Sequence, residues 1–339
     1  MSPGNPTHRL IAFIGVAAFG FAAGTAAETR AEYLYGVSDS YQKLFTLDPA
    51  TGRTLSVRDI SGTMGGHEDV VPDGQGQLLL AAHGGLGPIG SDELFRLDPA
   101  TGHATSIGLI SNGAGRAYWV EGMAWVNGTL YASAAGIDLT NPPTYLGYAA
   151  DASNLLIRID PTTGHAFEVG AFGGRFLNVE DIAYSPKYGL IGADIGTLNP
   201  DPNQPNGPYS SFHTTPALIR IDPDTGRAVK IADLPHGDLV ANPFNGYLSP
   251  SGPFVSGLEF SADGLTLYGT TIATHFGGAS SGLVTVDPTT GTLTQVGTVD
   301  APVLDGVALA TVPEPPGLAL LGIGLAGLMA AGRRRIAAR

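Results

Sequence analysis

Short segments in which apolar and polar residues alternate recur along most of this chain, each closed by a turn signal. Leu156-Ile-Arg-Ile159 and Ala166-Phe-Glu-Val169 form such a pair around Asp160-Pro-Thr-Thr-Gly164. Alternation with period two suits a half-buried strand, because successive side chains point to opposite faces. The nine-residue pattern ending in Asp-Pro-x-Thr-Gly occurs five times, at 44–52, 94–102, 156–164, 218–226 and 283–291. In such a turn the Asp carboxylate accepts local N–H groups and Pro presets the first φ. Thr adds a second hydrogen bond, and Gly supplies the positive φ that re-enters the next strand. Each copy therefore predicts one hairpin corner of a repeated unit.

A second repeat lies between these copies. Val120-Glu-Gly-Met-Ala-Trp125 precedes Gly128-Thr-Leu-Tyr131, Val179-Glu-Asp-Ile-Ala-Tyr184 precedes Gly189-Leu-Ile191, and Val255-Ser-Gly-Leu-Glu-Phe260 precedes Gly264-Leu-Thr-Leu-Tyr268. His67-Glu-Asp-Val-Val71 before Gly76-Gln-Leu-Leu79 is a looser version. Asn127-Gly128 and Asp263-Gly264 are tight-turn dipeptides between apolar runs, the strongest short-range hairpin signal. Two hairpins per unit make four strands, the content of one propeller blade. The corner motifs are 50, 62, 62 and 65 residues apart, which suits blades with insertions. Glu32–Gly36 reads as a second strand lacking its first, and Val303–Leu309 as a first strand lacking its second. The expected fold is all-β: a five-bladed β-propeller over 28–311, its ring closed by the C-terminal strand so that no edge stays open.

Composition agrees with this picture. Gly 49 and Pro 25 supply turns, the hydrophobic fraction of 43% supplies a core, and Cys 0 leaves packing and ring closure to stabilise the body without disulfides. The two ends are different. Arg9, the apolar stretch 10–23 and Gly24-Thr-Ala-Ala27 have the parts of a secretory signal peptide over 1–27. At the other end Pro313-Glu-Pro315 precedes an uncharged apolar stretch, 316–332, and the cluster Arg333, Arg334, Arg335. Seventeen uncharged residues suffice for a short transmembrane helix, with the basic cluster held on the cytoplasmic side.

That order of parts over 312–339 resembles the PEP-CTERM sorting domain of Gram-negative bacteria. The resemblance covers the tail alone. It implies an exosortase-type processing enzyme as partner, recognition of Pro313, Glu314 and Pro315 in the inner membrane, and delivery to the cell surface or exopolysaccharide matrix. An ordinary C-terminal anchor would leave the body on the same side of the membrane. All 30 acidic residues lie between the two apolar ends with 12 basic ones, a net charge of −18 there. Such a surface disfavours nucleic acid.

Aligning the first strands of the units puts Glu68, Glu121, Glu180, Ser256 and Asp305 at one repeated position. If these strands line a channel, carboxylates converge near its mouth. Glu68, Glu121, Glu180 and Asp305 are then candidate ligands for Ca²⁺, a hard cation that takes six to eight oxygens. Two alternatives stand beside this: bonding of these acids to backbone N–H groups of neighbouring blades without metal, or a role in catalysis. His67 adjoins the acidic position and is the histidine to test as a catalytic base. Two long insertions, 135–154 and 194–216, carry Tyr145, Tyr148, Tyr209 and Phe212. These side chains suit either a platform for sugar rings or the packing of their own loops.

No G-x-S-x-G, H-E-x-x-H or P-loop occurs. The Asp-Pro-x-Thr-Gly turn resembles that of quinoprotein-type repeat propellers, but the Trp that follows it there is missing from all five copies. Lactonase-like propellers, with channel Ca²⁺ held by acidic and Asn ligands, are matched in the acids and not in an aligned Asn. The expected function is an exported binding or matrix-interaction module, contacting exopolysaccharide or a surface protein. The alternative is a calcium-dependent hydrolase with its site at the channel mouth.

Overall fold

The computed structural model describes residues 31–312 apart from 39–40, 84–90, 140–154, 174–175, 177, 197, 201–208, 213–214, 236–238, 242–247, 251–253, 273–280 and 302. The signal segment 1–27 and the tail residues Pro313, Glu314, Pro315, Arg333, Arg334 and Arg335 lie outside them, as do Tyr145 and Tyr148. Among the described residues no helix is long and apolar enough to cross a membrane.

The first blade contains β1 (Ala31–Ser38), β2 (Tyr41–Leu47) and β3 (Thr54–Asp59), and the second β4 (His67–Pro72), β5 (Leu78–His83), β6 (Asp92–Asp98) and β7 (His103–Leu109). The third is β8 (Arg116–Val126), β9 (Thr129–Asp138), β10 (Leu155–Ile159) and β11 (Ala166–Ala171). In the fourth, β12 (Val179–Ser185) and β13 (Gly189–Asp194) precede a short hairpin, β14 (Leu198–Pro200) and β15 (Tyr209–Phe212). Then come β16 (Ala217–Ile221) and β17 (Ala228–Asp233). A second short hairpin, β18 (Leu239–Ala241) and β19 (Leu248–Pro250), leads to the fifth blade: β20 (Phe254–Phe260), β21 (Leu267–Ile272), β22 (Gly282–Val286) and β23 (Leu293–Thr298). The last strand, β24 (Gly306–Val312), pairs antiparallel with β1, from Ala31↔Val312 to Val37↔Gly306, and is the innermost strand of the first blade. The five four-stranded sheets are thus a five-bladed propeller closed as the sequence predicts.

Closure shows in the packing. The innermost strands touch in a cycle, β24–β4–β8–β12–β20–β24. Each seam between neighbouring blades holds its own apolar cluster. The seam joining the last blade to the first buries Leu34, Phe45, Leu47, Leu283, Val299, Leu304 and Leu309. Burying a side chain of this size is worth about 1.5–3 kcal/mol, so the ring is sealed by the forces that fill it.

The repeated corner behaves as its chemistry predicts. At Asp48 the carboxylate accepts from Ala50 N at 2.9 Å and Thr51 Oγ1 at 2.7 Å, while Gly52 takes φ 72°. The corner also clasps the neighbouring blade, which alternation alone does not reveal. Ser61 N donates to Gly102 O at 2.9 Å and Ala104 N to Ser61 O at 2.8 Å, joining the second blade's turn to the end of the first. Ala166 N to Ser111 O and Ala228 N to Phe172 O, at 2.8 and 2.9 Å, repeat the contact at the next two seams. A Cβ on Gly108, Gly170 or Gly297 would meet the carbonyl oxygen of Thr163, Thr225 or Thr51 in the next turn at 2.5, 2.3 and 1.9 Å. Of the two dipeptides read as tight turns, Asn127-Gly128 has positive φ at both residues and Asp263-Gly264 only at Gly264. The second belongs to a wider turn closed by Ser261 N to Thr266 O.

Candidate functional site

Strand alternation sorts the connections onto two faces. The corner motifs and the turns between the two inner strands lie on one. On the other lie the links between blades and the long segments joining the second and third strands, including both short hairpins. The innermost strands begin at this long-segment face.

The aligned acidic position is a structural feature. Pairing of the two inner strands shifts between His67 and Asp69, Val120 and Gly122, Val179 and Asp181, and Val255 and Gly257. Glu68, Glu121, Glu180 and Ser256 each occupy the bulge. A bulge inserts one extra residue and re-aims a side chain, which lets four blades present the same position differently from the ladder around it. Glu68 is buried, whereas Glu121, Glu180 and Asp305 are partly exposed. Glu180 Oε1 accepts from Asn178 Nδ2 at 3.2 Å, and Ser256 Oγ donates to Leu304 O at 2.7 Å.

The next position carries the contacts between blades. Asp69 Oδ2 accepts from Met123 N in the third blade at 2.6 Å. Asp181 Oδ2 accepts from Leu258 N in the fifth at 2.5 Å, and its Oδ1 from Ile182 N at 2.6 Å. The equivalent residues of the other blades are Gly122, Gly257 and Gly306. A Cβ on Gly122 would stand 2.3 Å from Asp181 Oδ1, and one on Gly306 would stand 2.2 Å from Asp69 Oδ1. Asp and Gly thus interlock, the glycines leaving the volume that the carboxyl groups fill. Burial pushes both aspartates well above the usual carboxylate range, and the charge of Asp69 adds to the effect at Asp181. Bonding to N–H groups of a neighbouring blade, foreseen as one alternative for the inner-strand acids, is thus seen at Asp69 and Asp181.

His67 is buried, with Nδ1 3.3 Å from Tyr41 O and Nε2 2.9 Å from Thr63 Oγ1. A carbonyl oxygen only accepts, so Nδ1 carries the proton and Thr63 donates to the lone pair on Nε2. Both ring nitrogens are engaged within the protein.

A different histidine meets Glu68. His83 ends β5 and faces Asp92, the first residue of β6, across the ladder. Its Nδ1 lies 2.7 Å from Asp92 Oδ1 and its Nε2 3.4 Å from Glu68 Oε1. Asp92 is buried and its Oδ2 accepts from Val120 N at 2.6 Å, tying the cluster to the third blade. Trp119 sets its ring edge-on to His83, with centroids 5.0 Å apart and planes at 88°. One ligand atom each from Glu68, His83 and Asp92 fall within 4.8 Å of one another, the one such group among the described residues. Of the four acids proposed from sequence, only Glu68 belongs to it.

Sequence reasoning also passed over Glu259. It stands where the other blades carry Val71, Ala124, Ala183 and Ala308, and burial and the charge of Asp69 raise its carboxyl well above the usual range. The substitution of an acid in a column of small apolar residues was the available signal.

No family model and no curated protein matches the sequence. Among solved structures, the chain is similar to a protein of unknown function from Bacteroides caccae, at 11% identity over 82% of this chain and 98% of the other, with a TM-score of 0.41. An oligogalacturonate lyase in complex with manganese matches at 13% identity over 80% and 68%, with a TM-score of 0.36. The Dos1 propeller matches at 10% identity over 79% and 68%, with a TM-score of 0.35. Likenesses this distant say nothing of chemistry, and the assignment of five blades rests on the strand pairing of this chain.

Proposed function

We propose that this chain is an exported β-propeller, sorted by an exosortase-type system to the cell surface or extracellular matrix, where its long-segment face serves as a non-catalytic binding module. One observation carries the reading. The last strand ends at Val312 beside Ala31, on the face of the tight turns. The described chain therefore leaves the ring at the turn face, opposite the long segments and the bulge acids. Propellers commonly use one face of loops on a rigid scaffold for recognition, and the long segments and the bulge acids share one such face here. Deleting Pro313–Pro315 in cells that carry the sorting system tests the delivery step. The expected result is an unprocessed protein retained in the inner membrane; unchanged processing would reduce the tail to an anchor.

The second reading, a calcium-dependent lactonase- or esterase-like hydrolase at the channel mouth, is favoured by the partly exposed carboxylates of Glu121, Glu180 and Asp305 at one repeated position of the units. A panel of lactones and esters, with Ca²⁺ and with chelator, separates the two. Turnover that depends on Ca²⁺ supports the hydrolase, and its absence supports the binding module.

A further inference from the structure

We propose that Glu68 and His83 bind a first-row divalent metal ion of the Zn²⁺ class, with Asp92 orienting the imidazole. The site goes beyond the export reading and does not depend on it. Asp92 uses both carboxylate oxygens, one on His83 Nδ1 at 2.7 Å and one on Val120 N at 2.6 Å. A carboxylate that holds Nδ1–H fixes the tautomer, so Nε2 presents its lone pair. This is the arrangement by which an outer carboxylate directs a metal-bound histidine.

The spacing on the other side of the ring points the same way. His83 Nε2 and Glu68 Oε1 are 3.4 Å apart. A charge-assisted hydrogen bond between them would close to about 2.7–2.9 Å. Two ligands on a tetrahedral ion at about 2.0–2.2 Å stand about 3.4 Å apart, so the gap fits a metal's ligand edge better than an ion pair. The donor set also selects the ion. Calcium takes six to eight oxygens, whereas one imidazole with a carboxylate suits Zn²⁺ or Mn²⁺. The His83 side chain keeps 29% of its surface exposed while Glu68 and Asp92 are buried. The ion would therefore sit at the edge of the long-segment face with positions left for oxygen ligands from solvent. Trp119, against His83, has a buried indole N–H with no acceptor among the described residues; an oxygen ligand carried on the ion could supply one.

The test uses residues 28–312, which contain every blade and seam of the ring, without a histidine tag and stripped with chelator. Titration calorimetry with Zn²⁺ at neutral pH should show one equivalent bound, and Ca²⁺ should bind far more weakly. His83→Ala and Glu68→Gln should each lower Zn²⁺ affinity at least about 100-fold, and Asp92→Asn about 10–100-fold. Asp98→Asn and Asp160→Asn, in the corner turns of the other face, should leave it unchanged. Pulsed EPR of the Mn²⁺-loaded wild type, which needs no variant to fold, should show coupling to one imidazole nitrogen. Absence of Zn²⁺ binding, binding indifferent to His83→Ala and Glu68→Gln, Ca²⁺ binding as tight as Zn²⁺, or a Mn²⁺ spectrum without nitrogen would each overturn the assignment.

Discussion

Replacing Gly122 by alanine tests how closely the inner strands of the ring interlock. The added Cβ would lie 2.3 Å from Asp181 Oδ1, 2.5 Å from Asp181 Cα and 2.9 Å from Ile182 N, where ordinary contact begins at 3.4 Å. Two of these three atoms are backbone, so no rotamer change relieves the overlap, and β8 and β12 must separate by about 1 Å. Overpacking of this kind costs about 1–3 kcal/mol. The overlap at Oδ1 also forces the Asp181 carboxyl to turn away from Leu258 N and Ile182 N, now 2.5 and 2.6 Å away, and leaving such groups unsatisfied costs about 1–3 kcal/mol more. Alanine restricts the unfolded chain in the opposite sense, by only about 0.4–1 kcal/mol. The net loss is about 3 kcal/mol. At about 2 °C per kcal/mol for a large domain, calorimetry should show Tm falling by about 6 °C. Gly65→Ala, where the nearest atom is His83 Cβ at 3.5 Å, is the control and should stay within about 1 °C. If Gly122→Ala also melts within about 1 °C of wild type, the Asp–Gly interlock is refuted.

Three further outcomes follow from the same structure. Gly297→Ala puts a Cβ 1.9 Å from Thr51 O at the seam that closes the ring, so hydrogen exchange should rise in β23 and β2 before it rises in other blades; a uniform change would contradict a clasp at that seam. The carboxylates of Asp48, Asp98, Asp160, Asp222 and Asp287 are held below their usual range by hydrogen bonds from turn Thr hydroxyls and turn N–H groups. A lowered folded pKa gives stability that is present above the unfolded value, about 4, and is lost as pH falls through the folded one. Melting temperature should therefore drop in acid below about pH 4, and Asp98→Asn should lessen that drop. Asp69 and Asp181 have the opposite sign: raised by burial, they favour the folded state at low pH, and that contribution is lost as pH rises through their folded values. Infrared spectra above the ordinary carboxylate value of about 4 should retain a protonated carboxyl band that weakens in the Asp69→Asn/Asp181→Asn double variant and weakens further when Glu259→Gln is added; a wild type without the band would contradict the shift.

The blades were legible because their chemistry is local and repeated. Asp160-Pro-Thr-Thr-Gly164 needs no distant partner to make its turn, and Ile157 and Ile159 alternate with Arg158 whatever lies beyond them. The clasp between blades was not, because Gly108 meets Thr163 across a seam and no property of either segment names the other. Alignment of the first strands found the bulge position at Glu68, Glu121, Glu180 and Ser256, since a bulge in every blade preserves the register of the repeat. It could not find His83 and Asp92. They sit in one blade only, at a strand end and a strand start opposed across the ladder, and a repeat shows what blades share. It also weighted His67 for its adjacency to Glu68, but neighbours on a strand point to opposite faces, and at a bulge the directions change again.

The claim that the long-segment face is the working face can be tested directly by probing residues 28–312 on an array of extracellular polysaccharides, alongside two double variants. The account predicts that binding is lost in Glu121→Gln/Glu180→Gln, on the long-segment face, and kept in Asp98→Asn/Asp160→Asn, in the turns. Binding that survives the first pair and fails in the second, or a body that binds no polysaccharide, would contradict it.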